Sequence, residues 1–174
     1  LNIWCPLTTV TEGDGRSILV INDIAPVADL IIEHNTFCQL GIPLSPGNDS
    51  ANSKNTGLYW RNNIHWHNDY GILGAGVGTG NPTLNGYFTT PVYLGNAMVE
   101  QQFPASYPAG NFDPANLAAV GFAAVSDRFG AGTDWSLTGG SSLHNAGTDG
   151  TDIGVNWPTV QTETSISSGG VAGI

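Results

Sequence analysis

Two histidines and a carboxylate occupy alternate positions in one short aromatic stretch, as His65, His67 and Asp69. Alternate side chains of a β-strand share one face, so two imidazoles and a carboxylate at this spacing could bind a metal ion. The other interpretation is a pair of histidines at a loop edge whose ring nitrogens bond backbone groups and water. This spacing is not a recognised metal-binding signature, so the sequence leaves both interpretations open.

Three carboxylates towards the end of the chain, Asp134, Asp149 and Asp152, form a second candidate metal site. Carboxylate oxygens are hard ligands that suit Ca²⁺, which is the one cofactor that the sequence suggests. However, Asp149-Gly-Thr-Asp152 is also typical of a turn with solvated carboxylates. These two aspartates could form the acid pair of a glycoside hydrolase only if they stood about 5–9 Å apart.

The basic residues offer little for catalysis. A polysaccharide lyase needs a proton-abstracting base beside carboxylates that hold Ca²⁺, and the chain has only 4 Lys and Arg residues. One of them, Arg61, aligns with Glu33 one repeat earlier, which predicts a surface ion pair rather than a catalytic base. No arrangement of Ser and His is typical of a nucleophilic triad. The sequence therefore predicts no catalytic residue and favours a protein that is not an enzyme, without deciding the question.

Several aromatic side chains are candidates for stacking on sugar rings. They are Tyr59, Trp60, Trp66 and Tyr93. Because side chains alternate along a strand, about half of them should point into the core. Ordinary core packing is therefore the alternative for each of them.

The composition excludes some classes of function. Among 174 residues there are 14 Asp and Glu against 4 Lys and Arg, for a net charge of −10. Nucleic-acid binding needs clustered basic residues, and no run of about 20 apolar residues could span a membrane. We expect an extracellular or cell-surface protein, in which Cys5 and Cys38 could form a disulfide. Two separate buried thiols are the alternative.

Three similar segments each contain an asparagine after a short apolar strand, at Asn35, Asn63 and Asn96. Repeats at such an irregular spacing are typical of a solenoid with inserted loops. Asparagine tolerates the left-handed backbone of a tight turn, and stacked asparagine side chains can hydrogen-bond one another. We therefore interpret the three asparagines as turn residues at equivalent positions of successive coils. The 24 glycines also favour short strands joined by tight turns.

Longer motifs resemble a known family. They include Leu30-Ile-Ile-Glu-His-Asn-Thr-Phe37, Gly80-Asn-Pro-Thr-Leu84 and Ala146-Gly-Thr-Asp-Gly-Thr-Asp-Ile-Gly154. With them, residues 29–155 resemble the C-terminal part of bacterial secreted right-handed parallel β-helix proteins of the pectate-lyase-like superfamily. The resemblance implies an all-β, right-handed parallel β-helix (a β-solenoid), here with about five or six coils and long inserted loops. We expect one domain over residues 1–160 and a Ser/Gly-rich tail over residues 161–174.

Two functions follow as hypotheses. No amphipathic capping helix precedes the first predicted coil, and an uncapped solenoid end exposes backbone that either a missing N-terminal region or a second copy could cover. The first hypothesis is therefore a structural protein that self-associates, end to end, into a filament or surface layer. The alternative is a fragment of a polysaccharide-binding or polysaccharide-degrading protein, with polysaccharide as its partner.

Overall fold

Short strands dominate the described part of the computed structural model, which covers residues 3–4, 18–21, 26–38, 41–47, 54–127 and 132–169. The strands are β1 (Ile3–Trp4), β2 (Ile18–Ile21), β3 (Ile31–Glu33), β4 (Thr36–Phe37), β5 (Leu44–Gly47), β6 (Asn55–Thr56), β7 (Tyr59–Arg61), β8 (Ile64–Trp66), β9 (Phe88–Thr89), β10 (Val92–Leu94), β11 (Ala97–Val99), β12 (Phe122–Val125) and β13 (Gly132–Leu137). The α-helices are α1 (Asn81–Tyr87), α2 (Leu117–Val120) and α3 (Trp157–Gly169), and a 3₁₀ turn covers Pro104–Ser106.

Most strands pair in parallel, in several small sheets. One sheet has the order β1-β4-β8-β11 and another the order β10-β7-β3. The pairs β2–β5 and β6–β9 are also parallel, whereas β12 and β13 form an antiparallel hairpin. Equivalent residues of the repeats lie side by side, as in the row of Ile32, Trp60 and Tyr93.

The predicted right-handed parallel β-helix is wrong, and so is the all-β class. The described strands lie in five separate sheets, none of which closes or curls, and three α-helices accompany them. The physical reason is that the repeat is short. Strands of two to four residues make only narrow sheets, and after residue 116 the chain forms helices and an antiparallel hairpin instead of further parallel strands.

A first hydrophobic core lies between the two larger sheets. The three-stranded sheet contributes Trp60 and Tyr93, and the four-stranded sheet contributes Phe37 and Met98, all of them buried. The rings of Phe37 and Trp60 stack with centroids 5.6 Å apart. Offset aromatic stacking at this distance adds to the free energy gained by burial.

The opposite face of the four-stranded sheet packs on a second core. There Ile64 and Trp66 of β8 lie among Trp135, Leu143 and Ile153, which come from the C-terminal part of the chain. The sheet is thus covered on both faces, which explains why the consecutive residues of β8 and of β11 are all buried. Strands buried on both faces are expected to be nearly continuous in apolar residues. Strands β8 and β11 fit this rule except at His65.

An amide ladder of Asn35, Asn63, Asn96 and Asn111 runs beside these sheets. The side-chain Oδ1 of each later asparagine accepts hydrogen bonds from the backbone N–H and from Nδ2 of the one before it, at 2.9–3.2 Å. The ladder therefore pins each turn to the next. The left-handed backbone lies one residue before the first three asparagines, at His34, Asn62 and Gly95, and not at the asparagines themselves.

Helix α3 is the longest of the helices in the described residues. The segment predicted as a Ser/Gly-rich tail begins at Gln161, and its residues up to Gly169 belong to helix α3. In the part of the chain that the structure describes, no helix has the length and hydropathy needed to span a membrane.

Candidate functional site

A cleft of about 540 Å³ opens between the 144–152 loop, the start of helix α3 and the turn after β3. Its polar walls carry two pairs of a histidine and an aspartate, His34 with Asp149 and His144 with Asp152. Its apolar wall includes Trp157 and neighbouring residues of the C-terminal segment. The volume falls in the range of about 300–1,000 Å³ that is usual for small-molecule sites, which makes this cleft the candidate site.

The first pair is positioned by the turns beside the amide ladder. His34 has a positive φ of 54°, which turns its ring towards the C-terminal loop, where its Nε2 lies 2.9 Å from Oδ2 of Asp149. Asn62 occupies the equivalent turn position one repeat later. Its Oδ1 accepts the backbone N–H of Thr148 at 2.9 Å, and its Nδ2 donates to Oγ1 of Thr148 at 3.0 Å. Asn62 thus anchors the loop that brings Asp149 to His34.

Gly95 completes this row of turn residues. A Cβ at Gly95 would lie 2.6 Å from Oδ1 of Asn62 and 2.8 Å from Cγ2 of Thr148. The third turn therefore leaves room for the loop only because it carries glycine. The row of His34, Asn62 and Gly95 forms the seat of the 147–149 loop.

Asp149 is ionised at neutral pH. Its Oδ1 accepts the backbone N–H of Thr151 at 3.1 Å and the hydroxyl of Thr151 at 2.9 Å. The Thr151 backbone hydrogen bond, aided by its hydroxyl and by His34, lowers the pKa of Asp149 to about 2. Because each of these hydrogen bonds favours the charged form, the carboxylate is a fixed negative group in the lining of the cleft.

The second pair is held within the loop itself. Nδ1 of His144 lies 2.7 Å from Oδ1 of Asp152, and the same oxygen accepts the backbone N–H of Asn145 at 2.8 Å. Both side chains are about one-third exposed. Oδ2 of Asp152 receives no hydrogen bond from the described residues, which leaves it available to a ligand.

The structure does not assemble either predicted metal triad. Among the described residues, no group of three or more His, Cys, Asp or Glu side chains could hold a metal ion. His65 and His67 are fully buried while Asp69 is exposed, so the three do not share a surface. Asp134 instead bonds the backbone N–H of Ser136, apart from the His–Asp pairs of Asp149 and Asp152.

Three of the four aromatic residues proposed for sugar stacking lie in the interior. Trp60 and Trp66 are fully buried and Tyr93 is 3% exposed, whereas Tyr59 is 38% exposed. Tyr59 lies on the outer face of its sheet, with the guanidinium of Arg61 over its ring. The predicted ion pair between Arg61 and Glu33 is confirmed, at 2.7 Å.

The structure describes only one of the two cysteines of the predicted disulfide. Cys38 is fully buried in the second core, and Cys5 lies outside the described residues. The disulfide therefore stays a prediction.

Sequence reasoning missed His34, His144 and Trp157 as members of one site. A signal was present for His34, because it directly precedes a ladder asparagine, as Asn62 and Gly95 do. No spacing rule could have joined it to Asp149, which lies 115 residues further along the chain.

Because His65 is buried, we expect the stability of the folded protein to fall in acid. Burial lowers the pKa of its imidazole to about 3, below the ordinary value of about 6.5. As the pH falls, the imidazole of the unfolded chain is protonated before that of the folded protein. The folded protein therefore has its full stability above the ordinary pKa of histidine and loses stability as the pH falls below that value. We expect one such group to reduce the free energy of unfolding by about 2 kcal/mol between pH 7 and pH 5.

Chemical denaturation of the protein at a series of pH values measures this effect. His65→Gln should flatten the dependence over the same interval, because glutamine does not titrate but can still bond the Tyr93 hydroxyl that lies 2.9 Å from Nε2. An unchanged slope in the variant would contradict the assignment.

Comparisons with family models, with curated proteins and with solved structures each return no match. The resemblance to pectate-lyase-like proteins therefore stays a prediction.

Proposed function

We propose that this protein binds carbohydrate in the cleft beside helix α3. The observation that carries the proposal is the presence of two carboxylate–imidazole pairs and an indole ring around one cavity of about 540 Å³. Sugars offer many hydroxyl groups on a ring with apolar faces, so they are bound by planar polar side chains together with an aromatic ring. An extracellular location, which the composition favours, would suit this function.

Asp149 suits ligand binding better than it suits the role of a general acid. A general acid needs a carboxyl group whose pKa is raised towards the working pH. Asp149 has the opposite property, since its pKa is lowered to about 2 by hydrogen bonds. Its two oxygens are also already engaged by Thr151 and His34.

Retention on immobilised polysaccharides, followed by titration with oligosaccharides, tests the proposal. Trp157→Ala removes the indole ring, and we expect it to weaken binding about tenfold, consistent with the loss of one stacked ring. Tyr59→Ala is the matched control, because it removes an exposed aromatic ring from a different surface. It should leave binding within about twofold of the wild type.

Trp157 also packs against the second core, so Trp157→Phe serves as a second variant that keeps apolar packing. Equal loss of binding in the Tyr59 and Trp157 variants would place the sugar elsewhere. Failure of every glycan tested to bind the wild-type protein would reject the function.

A second candidate is self-association at the edge of the three-stranded sheet. Strand β3 pairs with β7 on one side, and no other described strand pairs with it. Ile31 on this strand is 58% exposed. An unpaired strand edge that carries an exposed apolar side chain favours pairing with another chain.

At the opposite end of the two sheets the last strands are partly covered, which favours a closed dimer over the filament expected from the sequence. Directly after β10, the backbone N–H of Gly95 donates to the carbonyl of Gly110 at 2.9 Å. Beside it lies β11, the last strand of the four-stranded sheet. There the backbone N–H of Met98 donates to the carbonyl of Phe112 at 2.9 Å, and Ala97 pairs with Phe112. A filament needs two complementary open ends, whereas one open edge can pair with its own copy.

Sedimentation velocity at rising concentration tests this candidate. We expect a dimer that Ile31→Lys disrupts and that Val77→Lys, at another exposed apolar residue, leaves intact. A monomer at every concentration would exclude self-association, and long fibres would restore the filament hypothesis.

A further inference from the structure

The charges that line the cleft are of one sign. Two carboxylates, Asp149 and Asp152, contribute to its wall, and none of the described lining residues is Lys or Arg. Each carboxylate faces one imidazole, and the formal charge of the described lining residues is −2 when histidine is counted as neutral. The whole chain adds a net charge of −10, which repels anions and attracts cations over longer distances.

One carboxylate oxygen is available for a direct contact with a ligand. Oδ1 of Asp152 is engaged by His144 and by the N–H of Asn145, whereas Oδ2 receives no hydrogen bond from the described residues. A carboxylate oxygen with free lone pairs is an acceptor for ammonium groups, which donate three hydrogen bonds and accept none.

The aromatic wall favours the same kind of ligand. Trp157 lines the cleft together with Asp152. An indole face attracts a cation through its quadrupole as well as stacking on an apolar ring face. A carboxylate and an indole in one cleft therefore match a sugar ring that bears a positive charge.

From these observations we propose that the cleft prefers sugars that carry a primary amine over neutral and acidic sugars. This inference rests on the carbohydrate-binding function proposed above and adds to it the class of ligand. The negative charge of the cleft sets the order of preference, with amine-bearing sugars first, neutral sugars second and uronic acids last.

Three methyl glucosides that differ only at C6 give a matched set of probes. They carry an ammonium group (6-amino-6-deoxyglucoside), a hydroxyl (glucoside) and a carboxylate (glucuronide). Titrations followed by protein NMR at about pH 7.5, well below the pKa of an alkyl ammonium group, measure the three dissociation constants. We expect the ammonium sugar to bind about tenfold more tightly than the neutral one, with the preference shrinking as salt is added.

Asp152→Asn tests the origin of the preference, because asparagine has nearly the same shape without the charge. In this variant the ratio of the ammonium to the neutral constant should fall by several-fold. Asp69→Asn is the control, since it removes the same unit of charge from an exposed position outside the cleft. It should leave the ratio unchanged.

The outcomes separate the two levels of the proposal. Equal binding of the ammonium and neutral sugars, or tightest binding of the glucuronide, would overturn the inference while leaving carbohydrate binding in place. An equal drop of the ratio in the Asp69 and Asp152 variants would also overturn it, because net charge alone would then set the preference. If no probe binds and no polysaccharide retains the protein, the proposed function itself fails.

Discussion

Asn63→Asp is expected to reduce the free energy of unfolding by about 3–5 kcal/mol, the cost of a buried charge without a partner. Asn63 is fully buried. Its Nδ2 donates to the carbonyl of Ile32 at 2.9 Å and to Oδ1 of Asn96 at 3.2 Å. A carboxylate has no proton to donate, so three oxygens would face one another in the interior. The hydrogen bonds that Asn63 accepts from Asn35 would remain. The loss of stability would therefore come from the two hydrogen bonds that Nδ2 of Asn63 donates.

The penalty should depend on pH in a known direction. The neighbouring oxygens favour the protonated form, so the pKa of the new carboxyl is raised in the folded state. Its destabilising effect is complete above that raised value and shrinks as the pH falls through it. Urea unfolding followed by tryptophan fluorescence measures the effect, since Trp60 and Trp66 are fully buried beside the ladder.

Asn85→Asp is the control for Asn63→Asp. Asn85 is exposed on helix α1, so the same change should alter stability by less than about 0.5 kcal/mol. If the two variants have similar stabilities, the hydrogen bonds of Asn63 in the amide ladder do not contribute the expected free energy of unfolding.

Gly154→Ala is expected to destabilise the protein by about 3 kcal/mol or more, through backbone strain and overpacking together. Gly154 has a φ of 89°, and a Cβ there would lie 2.6 Å from Cδ1 of Ile64 and 2.8 Å from Oγ1 of Thr36. Its N–H also donates to the carbonyl of Asn62 at 2.8 Å. Relief of the collision would move the C-terminal segment off the four-stranded sheet and disturb the cleft.

Gly76→Ala separates strain from collision. Gly76 has a similar φ of 74°, but nothing lies within 4 Å of its would-be Cβ. It should therefore cost only the conformational part, about 1–2 kcal/mol. Thermal unfolding of both variants gives the difference, and equal losses would mean that the close contact at Gly154 is relieved without cost.

The asparagine pattern predicted contacts well but the overall fold poorly. Asn35, Asn63 and Asn96 do stack through their amides, because a recurring polar residue in an apolar context signals a local and repeated interaction. The pattern does not report how many strands follow or whether the sheets close. Those depend on residues 117–127 and 132–169, where the repeat is absent and the chain forms a strand pair and helices.

Burial of the aromatic residues shows a second limit of sequence reasoning. Alternation correctly implies that Tyr59 and Trp60 point to opposite sides, but it does not say which one faces outward. Trp66 escapes the rule entirely, since both faces of its sheet are covered. The cleft was equally hidden, because His34 and Asp149 meet only through long-range packing of the C-terminal loop on the turns.

The amide ladder also affects which part of this protein should unfold locally first. Turns between strands ordinarily exchange their amide hydrogens quickly, because water reaches them. Here the turn amides of Asn35, Asn63 and Asn96 donate to side-chain oxygens of the next turn. These hydrogens should therefore be among the slowest to exchange. Local opening should begin in the inserted loops, while the turns that support the cleft stay folded.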